Sequence, residues 1–297
     1  MLEKFYKLKN QIKSKILFDH DIGKMTWFKT GGKAKIFILV EDENELEIII
    51  NTFKGMNFFI MGSGSNTLIR DKGYNGVIIK LGKGFNKLLI NENKIEAGAS
   101  ILDINLSKFA ENNSIKNFEF FSGIPGSIGG AIKMNAGCFG SETKDNLEKI
   151  SVIDYKGNKI EINANKLDLK YRSSNIKETD IVTKAIFKIK YGNKIQIQEK
   201  INSIKSKRKD SQPLKEKTSG STFKNPPNFF AAKLIEESGC KGLEIGDAMV
   251  SLHHSNFLIN KGNASATDIE QLGKNIIDRV YDKFQIQLEW EIKIIGD

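Results

Sequence analysis

Apolar and polar residues alternate along the chain in short blocks whose spacing keeps switching between helix and strand. A basic, amphipathic opening predicts a helix from Leu2 to Ile16, and a Gly31-Gly32 turn then precedes an apolar run from Ile36 to Val40 that reads as a strand. In EDENELEIIINTF, Leu46, Ile49, Ile50 and Phe53 recur at helical spacing, and FFIMG follows as a second strand. GVIIKL (76–81) reads as a buried strand, and LLINENKIEAGA as a hairpin turning at Asn91 to Asn93. Ser100 is the expected N-cap of the helix ILDINLSKFAENN, with Asp103 completing an imperfect capping box. ISVIDYKGNKIEI predicts a second hairpin, turning at Lys156 to Asn158, and DIVTKAIFKI another strand.

The pattern changes near Lys209. A helix over KIQIQEKINSIKSKRKDSQPL should end before Pro213, and a polar loop, KEKTSGSTFKNPPN, comes next. FAAKLIEES is a helix stopped by Gly239, and SLHHSNFLIN a short strand holding His253 and His254. Thr267 with Glu270 predicts a capping box for a helix through Lys283, with Ile269, Leu272, Ile276, Ile277, Val280 and Phe284 on its apolar face. The closing IQLEWEIKII predicts a strand with Glu289 and Glu291 on one face. Helices and strands mix without a strict βαβ alternation, so the fold class is α+β.

Two loops stand out chemically. From Phe121 to Cys138 the chain carries five glycines, one proline and no acidic residue, which leaves much of its main chain open to close approach. Gly62 to Gly73 begins GSGSNT at the end of a predicted strand, where main-chain N–H groups and hydroxyls can meet an anion. It is neither a dinucleotide fingerprint, since GxGxxG fails at Thr67, nor a Walker A loop, since no GK[ST] follows. Each loop taken singly is as well read as a packing turn. Both fall in one α+β stretch and can face one ligand.

Composition narrows the partners. At 297 residues the chain can bury two or three cores. Its net charge of +10 suits an anionic partner, whether nucleic acid, an acidic membrane face or a phosphorylated small molecule, but the lysines are scattered apart from Lys205 to Lys209. The two cysteines, Cys138 and Cys240, form no CxxC pattern, so neither a disulfide framework nor a zinc site is expected. No signal peptide and no apolar run long enough to span a bilayer is seen, and a cytoplasmic protein without membrane contact is the expectation. His253 and His254, adjacent on a strand, would point to opposite faces and make poor joint metal ligands. In LDLKYRSSN, Arg172 beside Tyr171 can hold a carboxylate or phosphate in its planar fork, though a surface arginine is as common.

Taken in order, GSGSN, GIPGSIGGA, MNAG, YRSS, GSTFKNP, IGDAMVS with HSNFLIN, and LEWEIKIIG resemble the flavin-dependent UDP-N-acetylenolpyruvoylglucosamine reductases of bacterial peptidoglycan synthesis, the MurB family. The likeness covers nearly the whole chain. It implies a vanillyl-alcohol-oxidase-like FAD-binding fold of two subdomains, 1–81 and 82–209 with 286–297, and a substrate-binding domain, 210–285. FAD would be bound and NADPH a co-substrate, with the enolpyruvyl ether of a UDP-sugar as the molecule reduced and a monomer as the working form. Gly62, Ser63, Gly64, Ser65, Asn66 and Thr67, with Gly123, Pro125, Gly126, Ser127, Gly129 and Gly130, are the cofactor-binding residues it implies. Arg172, Ser221 and Glu291 match its catalytic positions, and Tyr171 and Asn225 its substrate-binding ones. Two departures stand out: Trp290 where the family usually has proline, and Lys29 where arginine is common. The compact segment after Tyr171 matches the shorter, second type of the family. Other readings of the chain are a flavin enzyme of the same fold with another substrate, and a basic nucleic-acid module, which the short KSKRK run and the lack of interleaved aromatics disfavour.

Overall fold

The computed structural model describes residues 2–297, which gather into two compact units. The first is formed by the segment ending at Phe18 with Ile36–Ser63 and Gly76–Ser206. The second is formed by Asp19–Lys35, Gly64–Asn75 and Lys207–Asp297.

The first unit holds two apolar cores. In one, helices α1 (Leu2–Lys9) and α2 (Glu43–Thr52) cover a sheet whose strands run in the order Lys15–Asp21, Lys33–Val40, Tyr74–Leu81, Phe58–Ile60. Leu46, Ile49, Ile50 and Phe53 are buried there, as their spacing requires. Asp42 caps α2 by accepting from the Asn44 N–H at 2.9 Å. The other core lies under a five-stranded antiparallel sheet ordered Lys159–Asn163, Leu147–Ile153, Ile181–Lys188, Lys94–Gly98, Leu88–Asn91. Its inner face carries Ile95, Ala97, Ile150, Val152, Ala185 and Phe187. The outer face carries ion pairs, Lys149 with Glu161 at 2.8 Å and Lys184 with Glu96 at 3.3 Å, the alternation expected of a sheet wetted on one side. Helices α3 (Asp103–Asn112) and α4 (Ile128–Lys133) close the core with Leu106, Ala110, Ile128, Ala131 and Ile132. Phe120 and Phe121 stack at 4.2 Å, and Phe121 meets Phe187 edge-on at 6.0 Å, so the glycine-rich stretch starts from an anchored aromatic cluster. Helix α5 (Lys194–Ser211) buries Ile197, Ile201 and Ile204.

The second unit packs α6 (Ala231–Glu237) and α7 (Ala266–Phe284) against a small sheet of Glu244–Ile245, Ala248–Val250 and Leu258–Asn260. Thr67–Ile69 runs parallel to Lys293–Ile295 and adds Leu68 to this core. Asp71 accepts from the Ala266 N–H at 2.9 Å, the Thr267 N–H at 2.8 Å and the Thr267 hydroxyl at 2.6 Å, which satisfies the open end of α7. Burial pulls the Asp71 carboxyl up, but these bonds outweigh it and hold its pKa below the usual value.

Several elements depart from the sequence reading. The first helix ends at Lys9, because Ile16 is buried in a strand instead. Ser100 donates to the Gly82 carbonyl at 2.9 Å rather than capping α3, whose N-cap position is Leu102. The capping box of α7 is Ser265 with Asp268, and Glu270 is drawn off by Arg70 at 2.8 Å. The closing strand is only Lys293–Ile295. His253 and His254 precede the strand Leu258–Asn260; His253 Nε2 lies 2.7 Å from the Asp210 carbonyl and the His254 ring meets Phe257 at 4.6 Å. No described helix is long and apolar enough to cross a membrane.

Candidate active site

Within the first unit the two glycine-rich loops meet. A Cβ built on Gly62 would stand 2.7 Å from Ser127 Oγ, so a side chain here would push that hydroxyl aside. The second loop is laced to the segment before α3: Gly129 N–H donates to Ala99 at 2.9 Å, Ile128 N–H to Ile101 at 2.9 Å, and Asp103 N–H to Gly126 at 3.1 Å. Gly129 also packs its bare Cα on Ala99, where a Cβ would come within 3.2 Å of the alanine methyl. Gly123 is buried beside the Cys138 thiol, which bonds the Phe120 carbonyl at 3.2 Å. Pro125 and Gly126 remain half-buried and Gly130 is exposed, so the loop keeps a free edge.

The Tyr171-Arg172 hairpin belongs to the same unit. Lys170 and Ser173 exchange main-chain bonds at 3.2 and 3.1 Å, a turn tight enough to put Arg172 at a φ of 52°. That is a costly conformation for a side-chain-bearing residue, held here by what surrounds it. Asn135 Nδ2 donates to the Lys170 carbonyl at 3.1 Å, and Ser174 Oγ to the Lys133 carbonyl at 2.8 Å. The guanidinium donates from Nη2 to the Gly137 carbonyl at 2.9 Å and lies 4.9 Å from the centre of the Tyr171 ring. Arg172 is thereby tied to the MNAG segment, with Tyr171 44% exposed beside it.

Ser221 and Glu291 sit in the second unit, in adjoining extended segments. The Glu291 N–H donates to the Thr222 carbonyl at 2.8 Å, and the Lys224 N–H to the Glu289 carbonyl at 2.9 Å. Asn66 joins them: its Nδ2 donates to the Glu291 carbonyl at 3.0 Å, and its own carbonyl accepts from the Lys293 N–H at 2.9 Å. The segment carrying Ser221 is held from its other side by the Asn256 side chain, which accepts from the Phe223 N–H at 2.9 Å and donates to the Phe223 carbonyl at 2.8 Å. Ser221 is half-buried and flanked by Gly220, whose φ is 77°. Gly64 accepts from the Trp27 N–H at 3.0 Å, Ser65 is half-buried, and Thr67 starts the strand Thr67–Ile69. Asn225 is exposed and accepts from the Ala231 N–H at 2.9 Å, fixing the entry to α6. The glutamate pair divides its work, because Glu289 turns outward to Lys224 at 3.0 Å.

Two charged residues beneath the loops escaped notice as site residues. Lys80, on Tyr74–Leu81, donates its ammonium to the Gly62 carbonyl. Asp103 is fully buried, with neither carboxyl oxygen bonded among the described residues, and Oδ2 is the atom a Cβ on Gly126 would strike first. Burial pushes its pKa well above that of an ordinary aspartate, because the charged form is stripped of water. A lysine closing the apolar run GVIIKL was the one available signal for the first; nothing in the sequence separates the second from an ordinary helix-start aspartate.

Similarity to known proteins first defines the class. Residues 34–163 match the family model described as an FAD binding domain, and residues 212–295 the model of the UDP-N-acetylenolpyruvoylglucosamine reductase C-terminal domain. The UDP-N-acetylenolpyruvoylglucosamine reductase of Rickettsia typhi is 43% identical over 96% of this chain and 97% of its own, and that of Rickettsia conorii 42% over the same shares. The crystal structure of the reductase (MurB) from Thermus caldophilus aligns with a TM-score of 0.83 at 33% identity, covering 96% of this chain and 99% of that one. The chain belongs to the UDP-N-acetylenolpyruvoylglucosamine reductase family. Its fold is accordingly α+β, an FAD-binding domain followed by the family's C-terminal domain.

Proposed function

We infer that this protein is a flavin-dependent oxidoreductase that reduces UDP-N-acetylglucosamine enolpyruvate to UDP-N-acetylmuramate in peptidoglycan precursor synthesis, using bound FAD and NADPH. The observation that carries this reading is the 43% identity to a reductase of that name over 96% of the chain. The loops fit a dinucleotide: bare glycine backbone at Gly62, where a Cβ would meet Ser127 Oγ at 2.7 Å, and no acidic residue in GSGSNT or in the stretch Phe121 to Cys138. Gly62 to Thr67 and Gly123 to Gly130 would hold the cofactor, including Ser63, Gly64, Ser65, Asn66, Pro125, Gly126, Ser127 and Gly129. By role, residues 1–81 and 82–209 with 286–297 serve the flavin, and 210–285 the substrate.

FAD held by the Gly62 and Gly123 loops would supply hydride chemistry, with NADPH as the source of electrons and the terminal carbon of the enolpyruvyl ether as the acceptor. Negative charge then develops on the ether-bearing carbon and its carboxylate. Arg172 is suited to bind that carboxylate, since its guanidinium is always charged and matches the two oxygens; its anchorage to Gly137 limits where the fork can point. Ser221 donates a proton to the ether-bearing carbon, a task within reach of a weak acid because an enolate carbon is strongly basic. Glu291, in the segment paired with Thr222 next to Ser221, assists that proton's movement. Tyr171 and Asn225 line the substrate's path. Substrate and reductant are charged nucleotides that do not cross a bilayer unaided, so the reaction belongs to the cytoplasm; sedimentation tests the expected monomer.

The purified protein should be yellow and should oxidise NADPH only when the enolpyruvyl UDP-sugar is present. A colourless protein that releases no flavin on unfolding would sink the reading. Ser221→Ala should leave flavin reduction by NADPH nearly intact and slow reoxidation by the sugar substrate by orders of magnitude, as resolved by stopped-flow absorbance. Equal loss in both half-reactions would remove the proton-donor role.

A further inference from the structure

Lys80 occupies an unusual place for a lysine. It is the penultimate residue of a strand whose preceding residues Val77, Ile78 and Ile79 are fully buried, and it is itself half-buried. The side-chain hydrogen bond of its ammonium goes to the carbonyl of Gly62, at the mouth of the GSGSN loop. No carboxylate is paired with it there, and burial presses its pKa below that of an ordinary lysine. An ammonium with unspent donors and no counter-ion is costly to bury, and an anion brought to it would recover that cost.

The surroundings favour an anion. Gly62 leads directly to Ser127 Oγ and hence to the second glycine-rich loop, so ammonium, hydroxyl and exposed main chain share one neighbourhood. Neither GSGSNT nor the stretch Phe121 to Cys138 contains an acidic residue, and burial raises the pKa of the carboxyl beside Gly126, that of Asp103, which disfavours its charged form. We propose that Lys80 is a cofactor ligand whose ammonium meets the pyrophosphate of the flavin dinucleotide held by these two loops. This rests on the flavin reading above. A diphosphate also occurs in the UDP-sugar and in NADPH, but Lys80 bonds the Gly62 loop itself, which assigns it to the molecule those loops carry.

The test uses the full chain stripped of flavin, in wild-type, Lys80→Met and Lys80→Arg forms, titrated with FAD and with riboflavin, which lacks phosphate. Lys80→Met should weaken FAD binding about ten- to hundredfold, the scale of one charge-assisted hydrogen bond, with riboflavin binding unchanged. Lys80→Arg should recover most of the loss. The melting temperature of flavin-free Lys80→Met should equal or exceed that of wild type, because a half-buried charge without a counter-ion is gone. Wild-type FAD affinity in Lys80→Met, or equal loss of riboflavin, would overturn the assignment. So would a fall in the flavin-free melting temperature that tracks the loss of FAD, the signature of a lysine that merely staples the loop. Unchanged FAD affinity with a raised KM for the UDP-sugar or NADPH would move Lys80 to the other diphosphate. Wild-type protein that takes up no FAD would fell the flavin reading itself, and Lys80's role with it.

Discussion

At the scale of single residues, Asp103 gives the sharpest physical consequence. Its carboxyl is fully buried and unbonded among the described residues, so the folded state holds its proton to a higher pH than the unfolded chain does. Between those two pKa values the native state binds more protons, and stability falls as pH rises, by up to about 1.4 kcal/mol per pH unit. Below the unfolded value the penalty vanishes. Asp103→Asn removes the titration, so its stability relative to wild type should improve steadily as pH climbs above the ordinary carboxylate range, measured by urea unfolding. A difference that stays constant with pH would show that the carboxyl titrates alike in both states. Asp103 was legible in the sequence only as a possible capping-box partner, because burial is a property of what packs around a residue rather than of its neighbours in the chain.

At the scale of elements, α7 shows how far local pattern reaches. Its apolar face follows from spacing alone, and Ile269, Leu272, Ile276 and Val280 are all fully buried. Its start does not, since Ser265 with Asp268 and the distant Asp71 cap it, where the sequence pattern points to Thr267 and Glu270. Ser265→Ala should cost about 1 kcal/mol in thermal or urea unfolding, while Thr267→Val should lose only the hydroxyl bond to Asp71. Within the same helix Gly273 lies against Trp290, where a Cβ would approach Cζ3 and Cζ2 of the indole at 2.7 and 2.8 Å. Gly273→Ala in a free helix would help by about 1 kcal/mol. Here it should instead destabilise by about 1–3 kcal/mol, and Trp290→Leu should rescue it in a double-mutant cycle. The indole also packs on Phe223 at 4.9 Å, and Trp290 pairs with Phe223 along the chain. Trp290 thus fills space against a glycine, and the extended path that carries Glu291 is kept by main-chain bonds to Thr222.

At the scale of the whole molecule, flavin binding and stability are linked. FAD at about a hundred times its dissociation constant should add about 2.7 kcal/mol, seen as a higher melting temperature that riboflavin at the same concentration does not reproduce. An unchanged melting temperature would mean that FAD does not select the folded state. The sequence by itself determined the α+β alternation, the two glycine-rich loops, the helices with strong periodicity and the ordered motifs that place the chain in its family, because each is written in local spacing or in residues next to one another. Tertiary structure alone decided that Gly62 meets Ser127, that Lys80 reaches beneath the first loop, and that Asn66, Ser221 and Glu291 share one neighbourhood. It also decided that Phe28 and Leu68 enter the core built on α6 and α7. Short apolar runs look alike in sequence whichever core they join; only long-range packing and the glycines that permit close approach determine which segments end up in contact.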